Sequence, residues 1–280
     1  MKRNNQQERY IHDYDAAHAK QVVRGRTAES HGAFFVPYLT SGMSLLDCGC
    51  GPGTITVGLA KIVAPAEVIG LDIEKSQVQL ARKDAIQLGL SNTSFETGNL
   101  YDLPFSDEQF GAVFCHAVLE HLSDPLTVLK EMYRVLKPGG IIGVRSPDWS
   151  GSLIAPKDKV LDIAFEIYFK YRLHSGGNPF IGRHLRELLR GAGFIKTRGM
   201  ASYEVFGTPD KTKSLLNALL EEFTGSRITE QAIQMGWSKQ AQMDQARTAF
   251  ERWAFHPDAF FAHPWCEVIG WKTQGLFSSF

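Results

Sequence analysis

These 280 residues lack most of the features that assign a chain to a specialised class. Thirty basic and thirty acidic side chains cancel, so no net field draws the protein to nucleic acid or to an anionic membrane. No apolar run reaches the roughly 18 residues that span a bilayer, and no stable membrane insertion is expected. The opening stretch, MKRNNQQERYIHDYDAAHAK, has no apolar h-region, which makes a cytoplasmic location the expectation. Cysteine is scarce: Cys48, Cys50, Cys115 and Cys266. Cys48-Gly-Cys50 is tighter than the C-x-x-C of redox or zinc sites and no histidine ligand pattern surrounds it. These cysteines read as small buried residues in a reducing compartment, and no metal is expected. Internal repeats and low-complexity tracts are absent. What remains is an ordinary globular composition, 44% hydrophobic and 21% charged.

One further absence is informative. The stretch LLDCGCGPGT, residues 45–54, places Gly49, Gly51 and Gly53 on alternate positions after an apolar run. A dinucleotide fingerprint needs its third glycine one place later, where Thr54 stands. A P-loop needs Gly-Lys-Ser/Thr, and no lysine is there. The loop is therefore rich in glycine without being built for a phosphate. Bare backbone at a strand-to-helix turn admits a ligand close to the chain and to the unpaired N–H groups of the helix start. A small carboxylate suits those groups, and Asp47 just before the turn can accept from a ligand ammonium.

The surrounding pattern alternates strand and helix. MSLLDCG, EVIGLDI, TSFETGN, FGAVFCHAV and GGIIGVRSP read as strands; TITVGLAKIVA, KSQVQLARKDAIQLGL and DPLTVLKEMYRVLKPGG read as helices. That rhythm over residues 44–147 predicts a doubly wound α/β sheet that binds ligands at the C-terminal ends of its strands. After Trp149 the rhythm changes. Residues 153–174 look helical, GRHLRELLRGAGF leads into a strand near 194–205, and 210–254 is largely helical before a closing strand at WCEVIGWK. The 210–254 stretch, with no Pro/Gly/Ser linker on either side, reads as an insert between the last two strands. Residues 9–36 are helix-prone and end near Pro37.

Asp72 ends the second strand 19 residues after Gly53, where a carboxylate can accept from both ribose hydroxyls. An N-cap for the following helix is the plainer alternative. Asn99, after the third strand, can accept from an adenine amino group, and Ile73 with Leu100 can sandwich the ring.

With LLDCGCGPGT, GLDI, GNLYDLPFSDEQF, AVFCHAVLEHL and KEMYRVLKPGG in this order, the chain resembles the class I S-adenosylmethionine-dependent methyltransferases. The ubiquinone/menaquinone-biosynthesis group is the most similar in flavour. The flanks RTAESHGAFFVPYL and ERWAFHPDAFFAHPWCEVIGW resemble a broad bacterial and fungal set of small-molecule methyltransferases. The resemblance implies a Rossmann-like doubly wound sheet of seven strands, mostly parallel with the last antiparallel. It also implies an N-terminal helical cap over 1–40 and a methyltransferase domain over 41–280, with helical lid segments at about 151–190 and 207–255. S-adenosylmethionine would be the cofactor, with Gly49, Gly51 and Gly53 lining its methionine part, Asp72 its ribose, Asn99 and Leu100 its adenine, and His116 lying beside the sulfonium. The family usually carries Asp where Asn99 stands; Asn keeps an acceptor oxygen and loses the charge.

Displacement at a sulfonium mainly needs alignment and a dry pocket. Should the nucleophile shed a proton, His116, His121 and Asp148 are the candidate bases, each with a packing or turn role as the alternative. Tyr10, His12 and Tyr14 on an N-terminal helix can fold over the site or lie on a solvated face; Tyr10, Tyr14 and Trp149 are the candidate acceptor contacts, and Arg24 and Arg26 can reach the cofactor carboxylate or stay at the surface. Aromatic density at 153–174 and 249–261 reads mostly as core packing; where some of these rings face the pocket, the acceptor is a small apolar or aromatic molecule, of the kind found in secondary metabolism. Methylation at O, N or C fits equally. A nucleotide-dependent oxidoreductase and a catalytically silent cofactor-binding protein are the other readings.

Overall fold

A computed structural model describes residues 24–274. The proposed contacts Tyr10, His12 and Tyr14, and most of the expected N-terminal cap, lie outside the described residues. In chain order the elements begin with α1 (Ala28–His31), β1 (Leu45–Cys48), α2 (Thr54–Val63), β2 (Val68–Asp72), α3 (Lys75–Gln87), β3 (Thr93–Thr97) and β4 (Phe110–His116). They continue through α4 (Pro125–Val135), β5 (Leu136–Pro147), β6 (Leu153–Ala155), α5 (Lys159–His174), α6 (Leu185–Ala192) and β7 (Lys196–Phe206). The last four are α7 (Pro209–Thr224), α8 (Ser226–Gln234), α9 (Gln240–Ala254) and β8 (Phe260–Trp271).

The sheet runs β3-β2-β1-β4-β5-β8, with β7 on the far side of β8. The first five strands pair in parallel; β8 is antiparallel to both β5 and β7. Strands buried on both faces read as unbroken apolar runs, because alternate side chains feed two different cores. Leu46, Val113, Cys115, Ile142 and Val144 meet α4 and α6 on one face. Leu45, Ala112, Phe114, Ile141 and Ile269 meet α2, Ala28 and Phe35 on the other. The cysteines follow this logic: Cys48, Cys50 and Cys115 are buried free thiols, and Cys266 is half-buried.

The chain leaves β1 toward β2 and β3, then crosses back to place β4 on the other side of β1. That reversal opens a crevice at the carboxyl ends of β1 and β4, the usual ligand position in open α/β sheets. Opposite it stands a second, separate core from α5, α7, α8 and α9, which includes Phe165, Tyr168, Phe223, Phe250, Trp253 and Phe261. The 209–254 helices sit between β7 and β8, as an insert would.

The helix expected over 153–174 starts late. Leu153–Ala155 is instead a short strand paired with Phe260–Ala262, an eighth strand beyond the seven expected. Pro156 disfavours helix in the residue before it, and Asp158 then caps α5 by accepting from the Val160 N–H at 2.8 Å.

Candidate functional site

A cavity of about 560 Å³ occupies the crevice and extends under the helical insert. Its lining includes Asp47, Gly49, Gly51, Asp72, Ile73, Asn99, Leu100, His116, His121 and Trp149. Ten of the sequence-derived candidates are thus gathered at one place by the topology.

The glycine loop is held by backbone bonds within the protein. The Gly49 and Cys50 N–H groups both donate to the Leu71 carbonyl, at 2.7 and 3.1 Å. Gly51, at φ +52°, turns its N–H to Asp72 Oδ2 at 2.8 Å. The other oxygen of Asp72 accepts from the Glu74 N–H at 2.9 Å. Asp72 therefore braces the loop and the entry to α3 while facing the cavity, so the two roles foreseen for it coexist. The loop amides are thus bonded within the protein, the Gly53 N–H to the Cys50 carbonyl at 3.0 Å among them. Thr54 and Ile55 of the α2 start line the cavity instead.

Gly53 itself is a correction. It does not line the cavity. It caps α2 in the left-handed region at φ +76°, and a Cβ there would stand 2.8 Å from both Ala81 Cβ and the Phe95 ring. Its need for glycine comes from α2 packing on β3 and α3.

Asp47 is 3% exposed and accepts from Thr56 Oγ1 at 2.6 Å. Burial raises its carboxyl to about 7, against the lowering effect of the Thr56 bond and with a smaller push from Asp72. A ligand cation beside it would reverse that rise. Ile73 is 57% exposed, an unusual state for an isoleucine, and borders the cavity with Leu100. Asn99 Oδ1 takes the Tyr101 N–H at 3.0 Å, which leaves the oxygen's second lone pair and the amide N–H₂ for a ligand.

The three candidate bases separate. His116 is buried against Trp265, His31 and Phe114, with ring centroids at 4.9, 5.3 and 6.4 Å. Burial first, then Arg26 and Arg145, hold its imidazole well below the usual range. His121 Nδ1 lies 2.9 Å from Arg172 Nη2; the guanidinium donates, so the ring proton sits on Nε2, which faces Glu120 at 3.8 Å. Asp148 does not line the cavity and is excluded as a base. Its carboxylate makes a bidentate pair with Arg183 at 2.5 and 2.7 Å and accepts from Ser150, and these partners hold it below the ordinary carboxylate value despite the opposing effect of burial. Of the two arginines, Arg26 lines the cavity and Arg24 pairs with Asp84 of α3 at 3.8 Å.

The far wall was not foreseen in detail. Tyr168 of α5 donates to Glu222 of α7 at 2.5 Å; Arg172 donates to the Tyr168 hydroxyl and to the Glu120 carbonyl, both at 3.2 Å. This chain of bonds ties the insert to the loop after β4. Along β8, Phe261, His263, Trp265 and Glu267 alternate onto one sheet face, and the first three line the cavity. Glu267 pairs with Arg145 at 3.0 Å, and Arg145 covers the Trp265 ring at 4.2 Å. The signal was legible as a period-two series, Phe-x-His-x-Trp-x-Glu-x-Ile, in which His, Trp and Glu interrupt an apolar face.

An open parallel sheet with this strand order, a glycine turn after β1 and an acid at the end of β2 is the Rossmann-like fold of class I methyltransferases. A methyltransferase-domain family model matches residues 39–167. The protein named "Probable methyltransferase ltbC" of Aspergillus luteorubrus is 30% identical over 93% of this chain and 97% of its own length. An uncharacterized methyltransferase of Schizosaccharomyces pombe is 38% identical over 58% of this chain and 60% of its own. The demethylmenaquinone methyltransferase of Lactococcus lactis is 34% identical over 54% of this chain, and the aligned part spans 56% of that protein. The chain belongs to the methyltransferase family.

Solved structures share the fold. The [4+2]-cyclase SpnF superposes with a TM-score of 0.53 at 22% identity, covering 92% of this chain and 81% of its own. Phosphoethanolamine N-methyltransferase 2 of Haemonchus contortus, in complex with phosphomonomethylethanolamine and S-adenosylhomocysteine, gives 0.53 at 18% identity, covering 84% and 50%. Among the described residues no helix is long and apolar enough to cross a membrane.

Proposed function

We propose that this protein transfers a methyl group from S-adenosylmethionine to a small, largely apolar metabolite held under the helical insert. The observation that carries the reading is the continuity of one cavity, with the glycine turn, Asp72 and Asn99 at one end and an aromatic chamber at the other. The residues at the first end fit the cofactor. Asp72 offers carboxylate oxygen to a ribose, exposed Ile73 and Leu100 offer two apolar surfaces to a flat base, and Asn99 offers both an acceptor and a donor to its edge. Asp47, buried without a facing cation, suits an ammonium.

When bound, S-adenosylmethionine supplies an electrophilic methyl group that needs no further activation. This chain's residues then have three tasks. The loop and Asp72 fix the donor, Trp149, Tyr168, Phe206 and Phe261 exclude water from the chamber, and the sheet-face histidines meet the acceptor's polar atom. His116 is neutral at ordinary pH, so it can accept a hydrogen bond, but its depressed basicity makes it a weak proton acceptor. Orienting the nucleophile is the role it performs best; the proton stays on the methylated acceptor and is lost to solvent when that product leaves the chamber. His121, bonded to Arg172, positions the loop after β4. Trp149 forms the chamber wall. The domain division would follow the same lines, with residues 41–280 as the methyltransferase unit; of the described residues before it, Gly25, Arg26 and His31 line the cavity.

The cyclase among the fold neighbours makes turnover, rather than binding, the decisive readout. Incubation with S-adenosylmethionine carrying a trideuterated methyl group and a metabolite extract, followed by mass spectrometry, should yield a labelled small molecule in step with S-adenosylhomocysteine. Tight cofactor binding with no labelled product would remove the transferase reading.

A further inference from the structure

Arg26 stands one residue ahead of a fixed point in the fold. Thr27 and Ser30 cap α1 reciprocally, each backbone N–H donating to the other's hydroxyl at 3.2 and 3.3 Å, and Ala28 is wholly buried. The half-buried Arg26 side chain lines the cavity, with its guanidinium 5.7 Å from the Trp265 ring. Among the described residues that guanidinium has no hydrogen-bond acceptor and no ion-pair partner. Three acids of the region are engaged elsewhere: Glu267 with Arg145 at 3.0 Å, Glu120 with the Ser146 hydroxyl at 2.9 Å, and Glu204 with the Trp265 indole N–H at 3.4 Å. The charge is felt across the chamber. Burial first, then Arg26 and Arg145, lower His31 and His263 to about 3 and His116 well below the usual range, so none of these rings adds a second cation.

A cation whose stem lies on an indole and which has no counter-ion is costly to close off from water unless the ligand supplies the anion. Which ligand follows from position. The cofactor end is built on β1 and β2, at Asp47, Gly49 and Asp72, whereas Trp265 stands on β8 with β4 and β5 in between. Three strand spacings, about 14 Å in all, separate β1 from β8. Arg26 therefore faces the aromatic chamber of Trp149, Tyr168, Phe206, Phe261 and Trp265. A hydrocarbon there would bury the guanidinium without an anion; a carboxylate can accept from two of its N–H groups at once.

We infer that Arg26 is a specificity-determining residue that reads an anionic oxygen group, such as a carboxylate, on a flat acceptor. The inference deepens the methyl-transfer reading and rests on it only in calling that ligand the acceptor. It selects aromatic acids over neutral rings of the same shape.

Two probes of one shape test it: 2-naphthoate and its neutral amide, 2-naphthamide, titrated calorimetrically into protein saturated with S-adenosylhomocysteine. The parent should bind 2-naphthoate about tenfold or more tighter than 2-naphthamide, the worth of one charge-assisted hydrogen bond. Arg26→Met keeps an apolar stem and should cut that preference to about threefold or less, while its affinity for S-adenosylhomocysteine stays within about twofold, which also shows that it folds. Arg26→Lys keeps the charge and should retain more of the preference than Arg26→Met. Equal binding of the two probes, binding of neither, or a preference that survives Arg26→Met would each overturn the inference. So would a loss of S-adenosylhomocysteine affinity of about tenfold or more in Arg26→Met, which would give the guanidinium to the cofactor's carboxylate instead. Failure of the parent to bind S-adenosylhomocysteine would remove the cofactor reading; the ratio between the two probes is then read on the protein alone.

Discussion

The sheet wall of the cavity and the helical wall facing it are held in place by different forces. On the sheet side, Asp47, the glycine turn, Asp72 and His116 sit where strands end, and backbone bonds fix them: Leu71 carbonyl to two loop amides, Asp72 to two more. On the insert side, position depends on aromatic packing. Phe165, Tyr168 and Phe250 surround Phe223 at centroid distances of 4.5, 4.8 and 5.2 Å, and one polar chain through Tyr168, Glu222 and Arg172 joins them to the loop after β4. A backbone-built site tolerates little variation in sequence and suits a fixed ligand. A side-chain-built chamber can be reshaped by substitution without disturbing the sheet. On the proposed function, the difference predicts that donor and acceptor recognition are separable in this molecule, and the following measurements test that separation.

The largest effect should come from the insert core. Phe223 is fully buried, and Phe223→Ala should destabilise the protein by about 3–5 kcal/mol, seen as a fall in denaturant midpoint. Its affinity for S-adenosylhomocysteine should change by less than about threefold at temperatures where the variant is folded. A loss of cofactor affinity as large as the loss of stability would mean that the walls are one cooperative unit.

Next is the acid at the end of β2. Asp72→Asn keeps the shape but removes the charge and one of the two oxygens that accept from the Gly51 and Glu74 N–H groups, and should weaken S-adenosylmethionine by roughly 10–100-fold, the worth of one or two charge-assisted hydrogen bonds. Acceptor discrimination, measured as the ratio of affinities for two probes, should be unchanged.

Asp47 gives a pH signature confined to the sheet wall. Burial raises its carboxyl to about 7, and a cofactor ammonium would favour the ionised form. Binding should therefore strengthen as pH rises toward about 7 and weaken below it, by at most about tenfold per pH unit. Asp47→Asn should flatten that profile. Calorimetric titration between pH 5.5 and 8 reads it.

A further effect concerns stability. His31 and His263 are both lowered to about 3, chiefly by burial. Between their ordinary value near 6.5 and about 3, the unfolded chain takes up protons that the folded chain refuses. Their contribution is complete above about 6.5 and is lost as pH falls through that window, at up to about 1.4 kcal/mol per pH unit for each group. Asp47 acts with the opposite sign, its folded form being favoured by protonation between its ordinary value of 3.8 and about 7. Denaturation between pH 7 and 5 should show a shallower slope in His263→Leu than in the parent.

The sheet wall was legible in the sequence because its residues stand at strand ends, and strand ends follow from apolar runs closed by glycine or acid. That Asp72, Ile73, Asn99 and Leu100 gather at one crevice could be read before any coordinates, as could the insert between the last two strands. Gly53 was misread because alternate glycines look alike in a string, whereas the turn gives them different neighbours: Gly51 meets Asp72, and Gly53 meets Ala81 and Phe95. Asp148 was misread because its partner, Arg183, lies 35 residues away. The insert wall was legible only as aromatic density. Which rings face the cavity depends on α5, α7 and β8 meeting across nearly a hundred residues of chain, information that local periodicity does not carry. The His263 and Trp265 series on β8 is the exception, a pattern visible in retrospect.

The central claim is that the crevice between β1 and β4 binds S-adenosylmethionine through Asp72. Parallel titrations of the parent and Asp72→Asn with S-adenosylmethionine and with NAD test it most directly. The account predicts one S-adenosylmethionine site per chain in the parent, clear weakening in Asp72→Asn, and no competing NAD site. NAD binding in preference to S-adenosylmethionine, or equal S-adenosylmethionine affinity in the two proteins, would contradict it.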